Sequence, residues 1–200
     1  MDQSRCNSKN TDKNAFAEVI EWIESIALSV FVIILFFTFC FRFVGVQGGS
    51  MLETLQDGDR LIIQKCFYTP KQGDIVVLSR SFLPPESPDA DKPIIKRIIA
   101  VENQTVEINS ITGDVFVDGV KLNEDYITDK TFVYGLYDIE PIFKITVPEN
   151  ELFVMGDNRG ISHDSRNPAL GTIDERYVLG KAVMRVFPFD SFGKVKGWEK

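Results

Sequence analysis

SIALSVFVIILFFTFCF, residues 25–41, is a run of 17 residues without a charge, bounded by Glu24 and Arg42. As a helix it rises about 26 Å at roughly 1.5 Å per residue, close to the ~30 Å hydrocarbon core of a bilayer. Ile23 and Phe43 extend the apolar stretch at its two ends. A buried core helix of a soluble domain would show a polar face, and this run is apolar all round. A cleavable leader also fits poorly. Arg5, Lys9 and Lys13 precede the run together with Asp2, Asp12, Glu18, Glu21 and Glu24, and Val44-Gly45-Val46 is no small-x-small site. The reading is an uncleaved transmembrane anchor over 25–44 behind a short tail over 1–24. Three Lys/Arg precede it (Arg5, Lys9, Lys13) and three follow within 25 residues (Arg42, Arg60, Lys65), so charge alone does not orient it.

Working outward, the chain has 200 residues, 22 Lys+Arg and 29 Asp+Glu, for a net charge of -7. That balance excludes a nucleic-acid binder, which needs a concentrated positive footprint. Cys6, Cys40 and Cys66 lie before, inside and after the apolar run, so no pair shares a compartment. No Cys/His spacing suits zinc, and no spacing suggests a metal or an organic cofactor.

Beyond the anchor the pattern is β. Short segments rich in β-branched and aromatic residues fall at 59–67, 74–79, 94–101, 105–108, 114–117, 142–147, 151–155 and 180–187. Asp118-Gly119 between VFV and VKL marks a two-residue hairpin. Residues 79–93 carry four prolines and read as a loop. The fold class expected is therefore mainly β: one N-terminal transmembrane helix, then an antiparallel β-sheet domain over 45–200. Its core is 45–101 and 149–190, with a smaller inserted β lobe at about 102–148.

Three segments carry candidate chemistry. In VQGGSMLETL, 46–55, Gly48 and Gly49 permit close backbone approach and leave the Ser50 hydroxyl exposed, though a juxtamembrane linker would look the same. In IIKRIIA, 94–100, strand alternation puts Lys96 with Ile94, Ile98 and Ala100, and sends Arg97 the other way with Ile95 and Ile99. A desolvated lysine has a lowered pKa, whereas a snorkelling edge lysine does not. GDNRGISHDSR, 156–166, is dense in groups that bond locally to backbone.

In order behind an anchor, these segments resemble the bacterial type I signal peptidases. The family pattern G-x-S-M-x-P-T-L aligns with Gly48 to Leu55. Its K-R-hydrophobic pair aligns with Lys96-Arg97-Ile98-Ile99, and M-G-D-N-R-x-x-S-x-D-S-R aligns with Met155 to Arg166. The resemblance implies a Ser-Lys serine endopeptidase, with Ser50 the nucleophile and Lys96 the general base. Ser162 is implied to position the lysine, and Asp164 and Arg166 to form a supporting pair, with Arg97 structural. The Ser50 N–H would serve an oxyanion hole. Gly48 stands where some members place a hydroxyl, Gly49 follows it, and Met51 would line the substrate groove. The implied partners are secretory preproteins and the lipid bilayer, with the catalytic domain on the extracytoplasmic face of the bacterial membrane. Nothing in the sequence sets the oligomeric state.

Glu53 departs from the pattern, standing where the family has proline. It makes the loop looser and adds a charge, and it opens the alternative of a catalytically impaired paralogue acting as a binding module. Two other classes compete. A Ser-His-Asp hydrolase would need His163 as base with Asp157 or Asp174 orienting it. The Ser-Lys self-cleaving repressors carry a DNA-binding domain where this chain has its apolar run. Eight residues separate Arg42 from Ser50, at most about 28 Å of chain, which places the nucleophile near the bilayer. Phe82-Leu83, Phe187, Phe189, Phe192 and Trp198 are candidates to rest on lipid or to fill the core.

Overall fold

The computed structural model describes residues 3–81, 92–133, 142–195 and 197. Two compact units form, 1–40 and 41–200. The first is a single helix, α1 (Gln3–Cys40). Its stretch Glu18–Cys40 is long and apolar enough to cross a membrane. Apolar side chains including Trp22, Leu28, Phe31 and Ile34 are exposed around it. Two of its hydroxyls bond within the helix: Ser29 Oγ donates to Ser25 O and Thr38 Oγ1 to Ile34 O, each at 2.8 Å. Such bonds to the carbonyl four residues back satisfy these two donors on an apolar helix.

The anchor was expected to reach residue 44, but the helix stops at Cys40. Phe41–Gly45 forms strand β1, paired antiparallel with β2 (Arg60–Gln64) from Phe41↔Gln64 to Gly45↔Arg60. Phenylalanine and valine fit a pleated surface, and cross-strand pairing decides what hydropathy leaves open.

After β2 come β3 (Ile75–Leu78), β4 (Ile94–Ala100), β5 (Thr105–Asn109), β6 (Val115–Val117), β7 (Val120–Lys121) and β8 (Ile142–Thr146). Then follow β9 (Glu151–Met155), β10 (Ile173–Asp174), β11 (Val178–Phe187) and β12 (Gly193–Lys194). Among the described residues no α-helix follows Cys40. The larger sheet runs β1-β2-β11-β3-β4-β9-β10, with β12 on β11, and the smaller runs β7-β6-β5-β8. Every pairing is antiparallel. Asp118 and Gly119 make the β6–β7 hairpin with φ of 52° and 78°, the positive values that a type I′ turn requires.

The proline-bearing loop falls largely on 82–91, outside the described residues, as do Phe82, Leu83 and Trp198. Phe187, Phe189 and Phe192 are exposed, not core. Phe187 and Phe189 meet edge to face at 5.8 Å, and the Arg60 guanidinium lies 5.7 Å over the Phe187 ring.

All four residues of β3 are buried, because both faces of the large sheet are covered. Val77 packs with Val46, Met51, Leu55, Leu61 and Ile63 on one side, and Val76 with Ile98, Leu152, Val154 and Ile173 on the other. A bulge between Ile98 and Ala100 in the β4–β9 ladder interrupts the alternation expected of IIKRIIA. Ile99 and Ala100 consequently both pack in the third cluster with Val106, Val115 and Phe153, and Ala100 leaves the company of Lys96. Leu61 is fully buried beneath the segment that carries Ser50. Leu61→Ala is expected to lower stability by roughly 2–4 kcal/mol in urea titrations.

Candidate active site

Ser50 sits on a loop over 46–59 whose base is closed by backbone bonds. Val46 N–H donates to Asp59 O at 2.8 Å, and Gly58 N–H to Val46 O at 3.1 Å. The buried Asp59 carboxylate accepts from Gln56 N–H at 3.0 Å and from Arg185 at 2.7 Å. Inside the loop Leu55 N–H bonds Met51 O, and the Gly48 N–H donates to Asp57. Gly48 has φ +81°, which only glycine adopts without strain. Met51 is buried, and the Leu52–Glu53 peptide is cis.

Lys96 lies in the middle of β4, opposite Val76, and is 3% exposed. Its Nζ is 2.7 Å from Ser50 Oγ. Burial drives its pKa down from 10.5 to about 8. The charged groups facing it largely offset one another: Asp164 and Asp157 raise the value, Arg80 and Arg166 lower it. With the ammonium charged, Nζ donates to Oγ. With the amine neutral, the serine O–H can donate to the nitrogen lone pair, which is the arrangement a general base needs.

The turn over 156–166 braces this pair. Asn158 N–H donates to Ser50 O at 3.1 Å, and Gly156 N–H to Asp164 Oδ2 at 3.0 Å. Asp164 and Arg166 form a fully buried two-pronged pair, both bonds at 2.8 Å. Burial opposes ionisation of Asp164, but the Arg166 guanidinium, with help from Ser162 and the Gly156 N–H, holds its carboxyl below the usual range. Arg97, next to Lys96, makes an equivalent buried pair with Asp157 at 2.8 and 2.7 Å and also donates to Gly73 O. Thr54 Oγ1 donates to Asp157 at 2.5 Å, tying the serine loop to the turn.

Ser162 is buried close against Gly156, on the Asp164 side, and its hydroxyl makes no hydrogen bond to Lys96. His163 is exposed, with Nδ1 3.3 Å from Asn167, while Ser50 Oγ bonds Lys96. A groove of about 680 Å³ opens at the serine, lined by Val44, Val46, Gly48, Ser50, Met51 and Ile95 among others. Among the described residues no three His, Cys, Asp or Glu side chains gather to hold a metal.

The family model for signal peptidase, peptidase S26, matches residues 19–187. The chain belongs to that family. It is 38% identical over 158 residues to the probable signal peptidase I-1 of Synechocystis sp., covering 75% of this chain and 73% of that protein. It is 33% identical over 192 residues to the signal peptidase I of Bacillus licheniformis, covering 93% and 97%. A solved signal peptidase I from Enterococcus faecalis V583 is 28% identical, with TM-score 0.43 over 58% of this chain and 98% of that one.

In this S26 member Thr54, Asp157 and Arg159 lie within the matched motifs but carry no role there beyond Asp157 as a possible partner for His163, and Glu124 and Tyr126 lie in no motif. The polar density of GDNR was a signal for Asp157 and Arg159. Thr54 stood in the serine motif without a role, and Glu124 and Tyr126 left no signal, since each acts through a contact between distant segments.

Two outcomes follow from the geometry. A Cβ on Gly156 would lie 2.4 Å from Ser50 O and 2.3 Å from Ser162 Oγ. Gly156→Ala is therefore expected to lower stability by roughly 1–3 kcal/mol in thermal melts and to displace Ser50. Replacing Lys96 has the opposite effect. Between about pH 8 and 10.5 the folded chain holds a neutral amine where the unfolded chain keeps the proton, so stability rises with pH across that window. Below pH 8 the full cost applies, on the order of 3 kcal/mol. Lys96→Met is expected to raise the melting temperature at pH 7, with the gain fading above pH 10.

Proposed function

We propose that this chain is a membrane-anchored serine endopeptidase that removes signal peptides from exported preproteins, with Ser50 as nucleophile and Lys96 as general base. The observation that carries the reading is the 2.7 Å contact between Ser50 Oγ and the buried Lys96 Nζ beside an open groove. The relatives named signal peptidase I support the substrate class.

In this reading the neutral Lys96 amine takes the Ser50 proton as Oγ attacks the scissile carbonyl. The oxyanion is met by the Ser50 backbone N–H. Lys96 then gives its proton to the leaving amine, which releases the mature chain and leaves an ester on Ser50. The neutral lysine next removes a proton from water, the hydroxide attacks the ester, and the proton returns to Ser50. Ser162 sits beside the site to steady the lysine once Oγ is acylated, and Asp164 with Arg166 holds the turn that carries it.

The substrate lies extended in the groove beside β1, whose outer edge carries no strand partner among the described residues. The segment preceding the scissile bond is then held close to the membrane, with the catalytic domain on the extracytoplasmic face. Exposed Phe187, Phe189 and Phe192 are suited to rest at the lipid interface.

The test is preprotein cleavage by the full chain in detergent. Ser50→Ala and Lys96→Ala are expected to abolish product, His163→Ala to retain it, and kcat/KM to rise with pH to a plateau above about 8. Failure of the folded wild type on good preproteins, with recovery by Glu53→Pro, identifies the impaired paralogue instead.

A further inference from the structure

Arg97, Arg159 and Arg166 are the three largest fully buried side chains among the described residues. One segment, 124–132, meets all three. The Arg97 guanidinium lies over the Tyr126 ring, 3.9 Å from its centroid, and Arg159 lies 5.9 Å from the same ring. Glu124 takes Arg159 as an ion pair, and Thr131 accepts a further bond from it. Arg166 donates to Phe132 O at 2.7 Å. Tyr126 itself donates its hydroxyl to Glu124 at 3.0 Å. Burial works against the Arg159 guanidinium, and Glu124, helped by Tyr126 and Asp157, more than offsets it.

These contacts have a consequence for the lysine. Arg97 is the neighbour of Lys96 in β4 and neutralises Asp157, which also holds Thr54 of the serine loop. The charges facing Lys96 are Asp164, Arg166 and Asp157 from the turn and Arg80 from the end of β3. An arginine fixed under an aromatic face in a desolvated site keeps one orientation. Without the face it can turn toward water, and Asp157 would then act on Lys96 less compensated, favouring the ammonium.

We propose that Tyr126 is a positioning residue for the Ser50–Lys96 pair, holding Arg97 onto Asp157 so that the carboxylate stays paired beside the lysine and the serine loop stays seated. The proposal rests on the peptidase reading for its kinetic consequence. Its electrostatic consequence stands apart from cleavage.

The experiment compares the full chain in detergent with Tyr126→Leu and Tyr126→Phe, by preprotein cleavage across pH and by NMR titration of the Lys96 side chain. Tyr126→Leu is expected to lower kcat about tenfold with KM within about twofold. Its rising pH limb and the Lys96 midpoint should both move up by about half a pH unit or more. Tyr126→Phe keeps the ring and loses only the bond to Glu124, so it should restore both. If Tyr126→Leu does not fold, Tyr126→Met fills the space without a π face and carries the same expectation. A folded Leu or Met variant with a wild-type Lys96 midpoint overturns the proposal, and so does a Phe variant as impaired as Leu. Failure of the wild type to cleave would sink the peptidase reading, while the Lys96 titration would still decide the role of Tyr126.

Discussion

A lysine side chain buried in the middle of a sheet, with its nitrogen 2.7 Å from a serine oxygen, is the constraint around which the second unit is arranged. Charge in that position is costly, and desolvation alone favours the neutral amine. Two carboxylates nearby would favour the ammonium if they acted unopposed. Each is instead locked to an arginine, Asp157 to Arg97 and Asp164 to Arg166, so the lysine meets ion pairs more than bare anions. Burial is then the largest influence on Lys96, and its pKa settles near 8.

The same pairs hold the geometry. Arg97 is attached to β4 beside Lys96, Asp157 to the turn, and Thr54 to the serine loop, so one buried cluster ties three distant segments together. Gly156 lets the turn approach the Ser50 carbonyl more closely than any side chain would allow. Broken buried ion pairs are strongly destabilising, because a lone charge remains behind. The site therefore couples activity to integrity: a change that unpairs Asp157 both recharges the lysine and loosens the serine.

Much of this was legible in the sequence, and for identifiable reasons. A charge-free run of 17 residues leaves little choice for 25–41, and β-branched segments with an Asp-Gly turn specify hairpins. The motif order pointed to Ser50 and Lys96, which the fold brings together from 46 positions apart. What escaped depends on tertiary pairing. FRFVG continues the aromatic run on either side of Arg42, and only the ladder with β2 makes it a strand. The bulge after Ile98 has no marker in IIKRIIA. Glu124 and Tyr126 look like ordinary loop residues until their arginine partners arrive from β4 and the 156–166 turn.

The most direct test of this account is an NMR titration of the Lys96 side chain in the folded wild-type chain. A midpoint near 8 is predicted, with about half of the amine neutral at that pH. A midpoint at or above 10.5 would mean that the ion pairs fail to shield the lysine and that Lys96 does not act as the base.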